Sequence, residues 1–515
     1  MSSDGLEIFQ LFLFEVNMNM KMIAAACVAF CGVSAFAAVT PSCNATAAAA
    51  DGVTLLKTCA PDITFYGAGA TAMKGGIQAV LTTDGNVFDK TKPFVTVNLA
   101  GNSNAYAYYG FGAAGKSWAG KKVAVIINGT NGSMAGVNQL LTGLKSGSKE
   151  AGIDQQEYNT IQLHTAAAQK AGTAMPDADV TVNTASALAP VVTLASTRVA
   201  DFKTAWGTDK QKVSHMAFSD VRPSEATPGQ IDKWDSKAFP AETIAMQGLG
   251  VLVNTNLYKA LQARDIAAKR MAAACQDDLL TAACQPNVST SDYTALMTGK
   301  VVSAADFLGD ASEARTLTLN RRPASSGTQA ATQIRFAGEA NYFGKTPLAT
   351  GVDMAGSETA VTVTGTTVAV NSMNVKTNVG TGDLIASIKG DAGLAIGVAS
   401  LDNAASKFGA SRSAQTAFFV KLDGVSPDFT GASDTALDGK YRTALQNGYS
   451  FAMEFQTLKS AKLAGDYSGI YAAIVDGLKN PAINLTGIGY IASTDASKNT
   501  AWTRGGNNLF PLNKY

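Results

Sequence analysis

The chain has 515 residues, 46% of them hydrophobic and 16% charged, with a formal net charge of +1 and only two histidines. Length and apolar fraction support two or more domains with their own cores, while the balanced charge excludes bulk electrostatic recruitment of nucleic acid or an acidic membrane. His164 and His215 lie far apart without Cys-x-x-Cys or His-x-x-x-His neighbours, which argues against a zinc centre or a Ser-His-Asp hydrolase.

The first 37 residues read as a secretory signal peptide. Lys21 precedes the apolar run Met22 to Val33, and Ala35-Phe36-Ala37 supplies the small-x-small cleavage pattern. The apolar run is shorter than the roughly 20 residues a membrane span requires. Asp4, Glu7 and Glu15 are foreign to the basic start of such a leader, so translation is expected to begin at Met18 or Met20. Cleavage removes Cys27 and Cys31 and leaves Cys43, Cys59, Cys275 and Cys284. An even number in an exported chain fits disulfides, and Cys43–Cys59 and Cys275–Cys284 are the expected pairs because each closes a short loop; free buried thiols are the alternative.

Beyond the leader, strand-like and helix-like runs alternate. Ile63 to Tyr66 predicts a strand, and Met73, Ile77, Val80 and Leu81 follow at helical spacing. Val123 to Asn128 is a continuous apolar strand, and Met134, Val137, Leu140, Leu141 and Leu144 mark one helix face. Val251 to Asn254 and Thr316 to Leu319 repeat the pattern, the latter ahead of a helix near Ile334. Such runs predict an α/β fold with buried, mainly parallel sheets. Three segments read as additions: the polar residues 146–200, a helix with the second cysteine pair at 262–292, and a Val/Thr β-hairpin at 359–371.

Two glycine loops invite nucleotide readings. Gly110 to Ser117 satisfies the P-loop pattern, but Val123 begins a strand too soon for the helix that such a loop must open. Gly67 to Ala72 fits a dinucleotide fingerprint, yet no second strand ends in the acidic residue that fingerprint needs. Three strand-to-helix junctions are more informative: Gly67 to Ala72, Gly129 to Ser133, and Arg321 to Thr328. Each sets a hydroxyl at a helix N-terminus, where free amides and the dipole favour an anion, although hydroxyls there also serve as plain caps. Asp220, ending Phe218-Ser219-Asp220, adds an acceptor able to take the proton of a hydrogen phosphate, which a sulfate lacks, although an Asp in a turn equally serves to cap a local amide. Arginine supplies a fork of donors suited to oxyanions.

These segments resemble, in order, those of the periplasmic phosphate-binding proteins that feed phosphate import transporters. Gly67-Ala68-Gly69-Ala70-Thr71 is similar to the family's GAGAT, and Gly132 to Gln139 to its GSxGGVxQ helix start. Phe218-Ser219-Asp220 resembles its ASD turn, and Arg322 with Ser326-Gly327-Thr328 its RxxxSGT loop. Thr298 to Val301 and Gly393 to Val398 resemble two further segments, so the likeness covers most of residues 62–400. The chain departs from the family at Ala72, where an aromatic is usual, and at Ala324, where the family has an Asp that orients the arginine.

The resemblance implies a two-lobed type II periplasmic-binding-protein fold with a hinge, lobe 1 being 38–247 plus 402–515 and lobe 2 being 248–401. Carried over, Thr71, Ser133, Asp220, Arg322, Ser326, Gly327 and Thr328 would contact phosphate. It implies a monomeric, periplasmic, non-enzymatic solute-binding protein with no cofactor, no metal and no nucleic acid, delivering phosphate to an ABC transporter permease. The alternative is a secreted or cell-surface structural or adhesive protein that keeps this fold.

Overall fold

The computed structural model describes residues 51–129, 132–133, 136–137, 140, 159–163, 175–186, 188–201, 214–220, 240–322, 326–337, 373–378, 380–401, 412–428, 449, 451–459, 463–480, 490–492, 502–503 and 513–514. The expected leader, Cys43, His164 and the 359–371 hairpin lie outside them.

The strands in chain order are β1 (Ile63–Gly69), β2 (Phe94–Leu99), β3 (Asn102–Phe111), β4 (Lys122–Asn128), β5 (Asn159–Ile161), β6 (Val180–Thr184), β7 (Val191–Leu194), β8 (Val199–Asp201), β9 (Met216–Ser219) and β10 (Ala241–Asn254). They continue with β11 (Asn287–Val288), β12 (Leu317–Arg321), β13 (Asn374–Thr377), β14 (Leu394–Ser400), β15 (Ala417–Phe419), β16 (Lys421–Leu422), β17 (Ala452–Lys459) and β18 (Tyr490–Ala492). Fourteen of the strands form one sheet in the order β13-β12-β14-β10-β17-β9-β1-β4-β3-β2-β7-β6, with β15 and β18 also pairing with β10.

The fold is α/β, and the apolar runs form strands because both faces of the sheet are covered. In β4, Val123, Val125 and Ile127 enter one core while Ala124 and Ile126 enter the other. The helix Lys74–Thr82 buries Ile77, Val80 and Leu81 on one side, as their spacing requires. Val137 and Leu140 are helical and buried, while Met134, Leu141 and Leu144 fall outside the described residues.

The sheet is mixed rather than mainly parallel. Continuous apolar strands report burial on both faces, which antiparallel neighbours under the same cover satisfy equally well. The turn between β2 and β3 spans only residues 100–101 and makes those strands antiparallel neighbours, as does the short link to β4. Parallel pairing is concentrated in two triplets, β4–β1–β9 and β13–β12–β14. Between them β10 and β17 run antiparallel to their neighbours. β10 changes partners along its length, meeting β17 over Ala241–Gly248 and β14 over Leu249–Val253.

The polar 146–200 segment is partly structural. Its β7 pairs in parallel with β2, and β6 then forms the sheet edge with most of its residues exposed. At 262–292 the expected features are present: the helix Thr255–Ala267 leads into two single-turn helices joined by the disulfide Cys275–Cys284. Cys59 is also disulfide-bonded. No helix among the described residues is long and apolar enough to cross a membrane.

Candidate anion site at the strand ends

Parallel strands end on the same side of a sheet, and ligands of open α/β sheets gather outside those carboxyl ends. Thr71 follows the end of β1 by two residues, Ser133 follows β4 by five, and Asp220 follows β9 by one. Register fixes this alignment, because Ala68 pairs with Asn128 on one side of β1 and Gly69 with Phe218 on the other. In the second triplet Arg322 follows β12 and Asn378 follows β13, with Arg321 and Thr377 in register.

The two sets of strand ends meet at Asp220. Ser133 donates its hydroxyl proton to Asp220 Oδ1, and the Asp220 amide points back at Ser133 Oγ, 3.4 Å away. Thr328, on the first turn of the helix Gly327–Ala337, adds a further pull that lowers the Asp220 carboxyl. Gly327 opens that helix against the same carboxylate. Ser133, Asp220, Arg322, Ser326 and Thr328 are all at most 3% exposed.

Burial dominates the electrostatics. It pushes the Asp220 carboxyl above the usual range, against the opposing pull of Ser133, the Asp220 amide, the Arg322 charge and Thr328. Desolvation likewise lowers the Arg322 guanidinium to about 10, with Asp220 and Asp383 pulling it back up. Arg322 at about 10 still carries its charge at neutral pH, so a buried cation, a buried carboxyl, hydroxyls and a helix start lie together at the strand ends.

Arg322 is held from the second triplet. Its Nε donates to the Asn378 carbonyl at 3.0 Å, its Nη1 to Thr381 Oγ1 at 2.8 Å, and its backbone amide to Gln329 Oε1 at 3.0 Å. Of the seven residues expected from sequence, Ser133, Asp220, Gly327 and Thr328 thus come into one contact group, with Arg322 in electrostatic range. Thr71 is half-buried in the turn after β1, with its side chain next to Gly129, and Ser326 is buried immediately ahead of the helix. The sequence reading missed Asn378, Thr381 and Gln329. One signal was present: Gly380 and Asp383 have capping-box spacing, which marks a fourth strand-to-helix junction after β13.

The other motifs resolve structurally. After β3 the P-loop match runs through turns into β4, without the helix that would receive phosphates. In the dinucleotide match, Gly69 has φ +136 and lies so close to β9 that a Cβ there would sit 1.9 Å from the Phe218 carbonyl oxygen. His215 is core: its ring stacks on Phe65 and Tyr467, and its Nδ1 accepts the Tyr66 amide proton at 3.0 Å. Among the described residues no group of three His, Cys, Asp or Glu side chains is arranged to hold a metal ion.

The chain is similar to solved phosphate-transport proteins. One is a phosphate ABC transporter substrate-binding protein with bound phosphate from Clostridium perfringens, at 11% identity and TM-score 0.40, over 83% of this chain and 99% of that one. Another is an ABC-type phosphate transport receptor from Vibrio cholerae, at 10% identity and TM-score 0.37, over 83% and 99%. A third, a phosphate-binding protein from Stenotrophomonas maltophilia, has 13% identity and TM-score 0.32, over 57% and 79%. No protein-family model and no curated protein matches the sequence.

Proposed function

We propose that the chain is an exported, non-enzymatic binding protein that captures inorganic phosphate between two lobes, 38–247 with 402–515 and 248–401, for uptake by an ABC transporter. The observation that carries this reading is the burial of Ser133, Asp220, Gly327 and Thr328 in one contact group with Arg322 beside it, although the segments lie far apart in sequence. Nothing in chain connectivity requires these polar groups to meet. A site for a desolvated tetrahedral anion does require it.

In this reading Ser133 and Thr328 turn their hydroxyl protons from Asp220 to phosphate oxygens when the anion enters. Amides at the start of the helix Gly327–Ala337 add donors, and Arg322 supplies charge. Asp220, released from the hydroxyls, accepts the proton of hydrogen phosphate. Sulfate carries no such proton, so it leaves a buried carboxylate facing an anion.

Titration calorimetry of the purified exported protein with phosphate and with sulfate tests the proposal. Phosphate heat at a 1:1 ratio with little or none for sulfate is expected. No heat for either anion would favour the structural or adhesive role, and equal heats would remove the proton-acceptor role of Asp220.

A further inference from the structure

We propose that Thr381 is a positioning residue, which together with the Asn378 carbonyl aims the Arg322 guanidinium at the anion; this rests on the phosphate reading above. Arg322 is only 3% exposed, so its direction is set by protein contacts rather than by water. Its Nε–H reaches the Asn378 carbonyl at 3.0 Å and its Nη1–H reaches Thr381 Oγ1 at 2.8 Å. A guanidinium is planar and rigid, so two bonds from different nitrogens fix the plane and the heading of its remaining donors.

The holders are themselves fixed. Asn378 directly follows β13, which pairs with β12 in register up to Arg321 and Thr377. Its side-chain amide also donates to Asn320 Oδ1 at 3.2 Å, and its backbone amide to the Arg321 carbonyl at 2.9 Å. Thr381 is the first residue of the helix Thr381–Gly390, whose start is closed by Asp383 Oδ2 accepting the Gly380 amide proton at 2.8 Å. Two of the atoms that Arg322 touches are a carbonyl and a hydroxyl, neutral acceptors that orient the guanidinium. Asp383 contributes attraction from one turn along, with its carboxylate engaged at the helix start.

The test is titration calorimetry with inorganic phosphate on the exported protein and its Thr381→Val, Thr381→Ser and Arg322→Lys variants. Thr381→Val should weaken phosphate binding about tenfold or more, as expected for a lost hydrogen bond to a charged group. Thr381→Ser, which keeps the hydroxyl, should stay within about twofold of wild type. In an Arg322→Lys background, where the fork is gone, Thr381→Val should cost less than about twofold further. If Thr381→Val does not fold, Thr381→Ala is read in the same way. Wild-type-like binding by Thr381→Val, or an equal loss in the Arg322→Lys background, would overturn the positioning role and leave phosphate binding standing. Absence of wild-type binding would overturn both.

Discussion

Gly327 and Asp220 meet with no space for a single methyl group between them. A Cβ on Gly327 would lie 1.2 Å from Asp220 Oδ1 and 2.6 Å from Ser133 Oγ. The glycine is therefore a steric condition for bringing the helix start to the carboxylate. Gly327→Ala should displace the helix or Asp220, lower stability by about 1–3 kcal/mol and abolish phosphate binding. Denaturant unfolding with a parallel phosphate titration checks this; unchanged affinity would show that the contact is dispensable.

Asp220 is a costly residue for a ligand-free protein. Burial raises its folded-state pKa above the unfolded value, so its ionised form destabilises the fold at neutral pH, and acidification through the folded pKa relieves that cost. Asp220→Asn should leave ligand-free stability equal or higher by about 1 kcal/mol and remove that acid-side gain. The same variant should lose the preference for phosphate over sulfate. Thermal midpoints against pH, and the two titrations, read these outcomes separately.

His215 gives the opposite slope. Burial drops its pKa to about 3, so between the ordinary histidine pKa of about 6.5 and that value the unfolded chain takes up a proton that the folded chain refuses. Stability should fall as pH is lowered through this window, by about 2 kcal/mol between pH 7 and pH 5 from this residue alone. His215→Gln, which retains an acceptor for the Tyr66 amide, should flatten the dependence. An unchanged slope would assign the acid sensitivity elsewhere.

Gly69 tests the framework beneath the site. With φ +136 and a hypothetical Cβ 1.9 Å from the Phe218 carbonyl oxygen, it permits β1 to pair with β9 at the point where Asp220 begins. Gly69→Ala combines backbone strain with overpacking and should cost about 3 kcal/mol or more. Urea unfolding measures it, and a loss below about 1 kcal/mol would show that β9 can move aside.

Much of this was legible in the sequence, for identifiable reasons. β1, β4 and the helix Lys74–Thr82 announce themselves because burial on two faces or on one stripe leaves periodic apolar residues. Asp220, Arg322 and Ser326 to Thr328 stand in short motifs at strand ends, which local reading finds. β6 and β7 were hidden in a polar segment because β6, at the sheet edge, is mostly exposed and β7 buries only alternate residues. Strand direction was not written in the apolar runs, since they encode cover and not polarity. Thr381 and Asn378 were missed because their bonds to Arg322 cross more than fifty residues and leave no local pattern.

β10 sets the distance between the two walls of the site. Asp220 and Arg322 are linked through four successive ladders, β9 to β17, β17 to β10, β10 to β14 and β14 to β12. The sheet therefore works as a ruler whose graduations are residue pairs. A slip of one pair anywhere along it would shift one wall by about 3.3 Å, more than a hydrogen-bond length, and turn the following side chains to the opposite face. The pairing of β10 with β17 already absorbs one irregularity, between Thr243 and Ala245, on the far side of the partner change from β14. Calibration of an anion site is in this way distributed over backbone that never touches the anion.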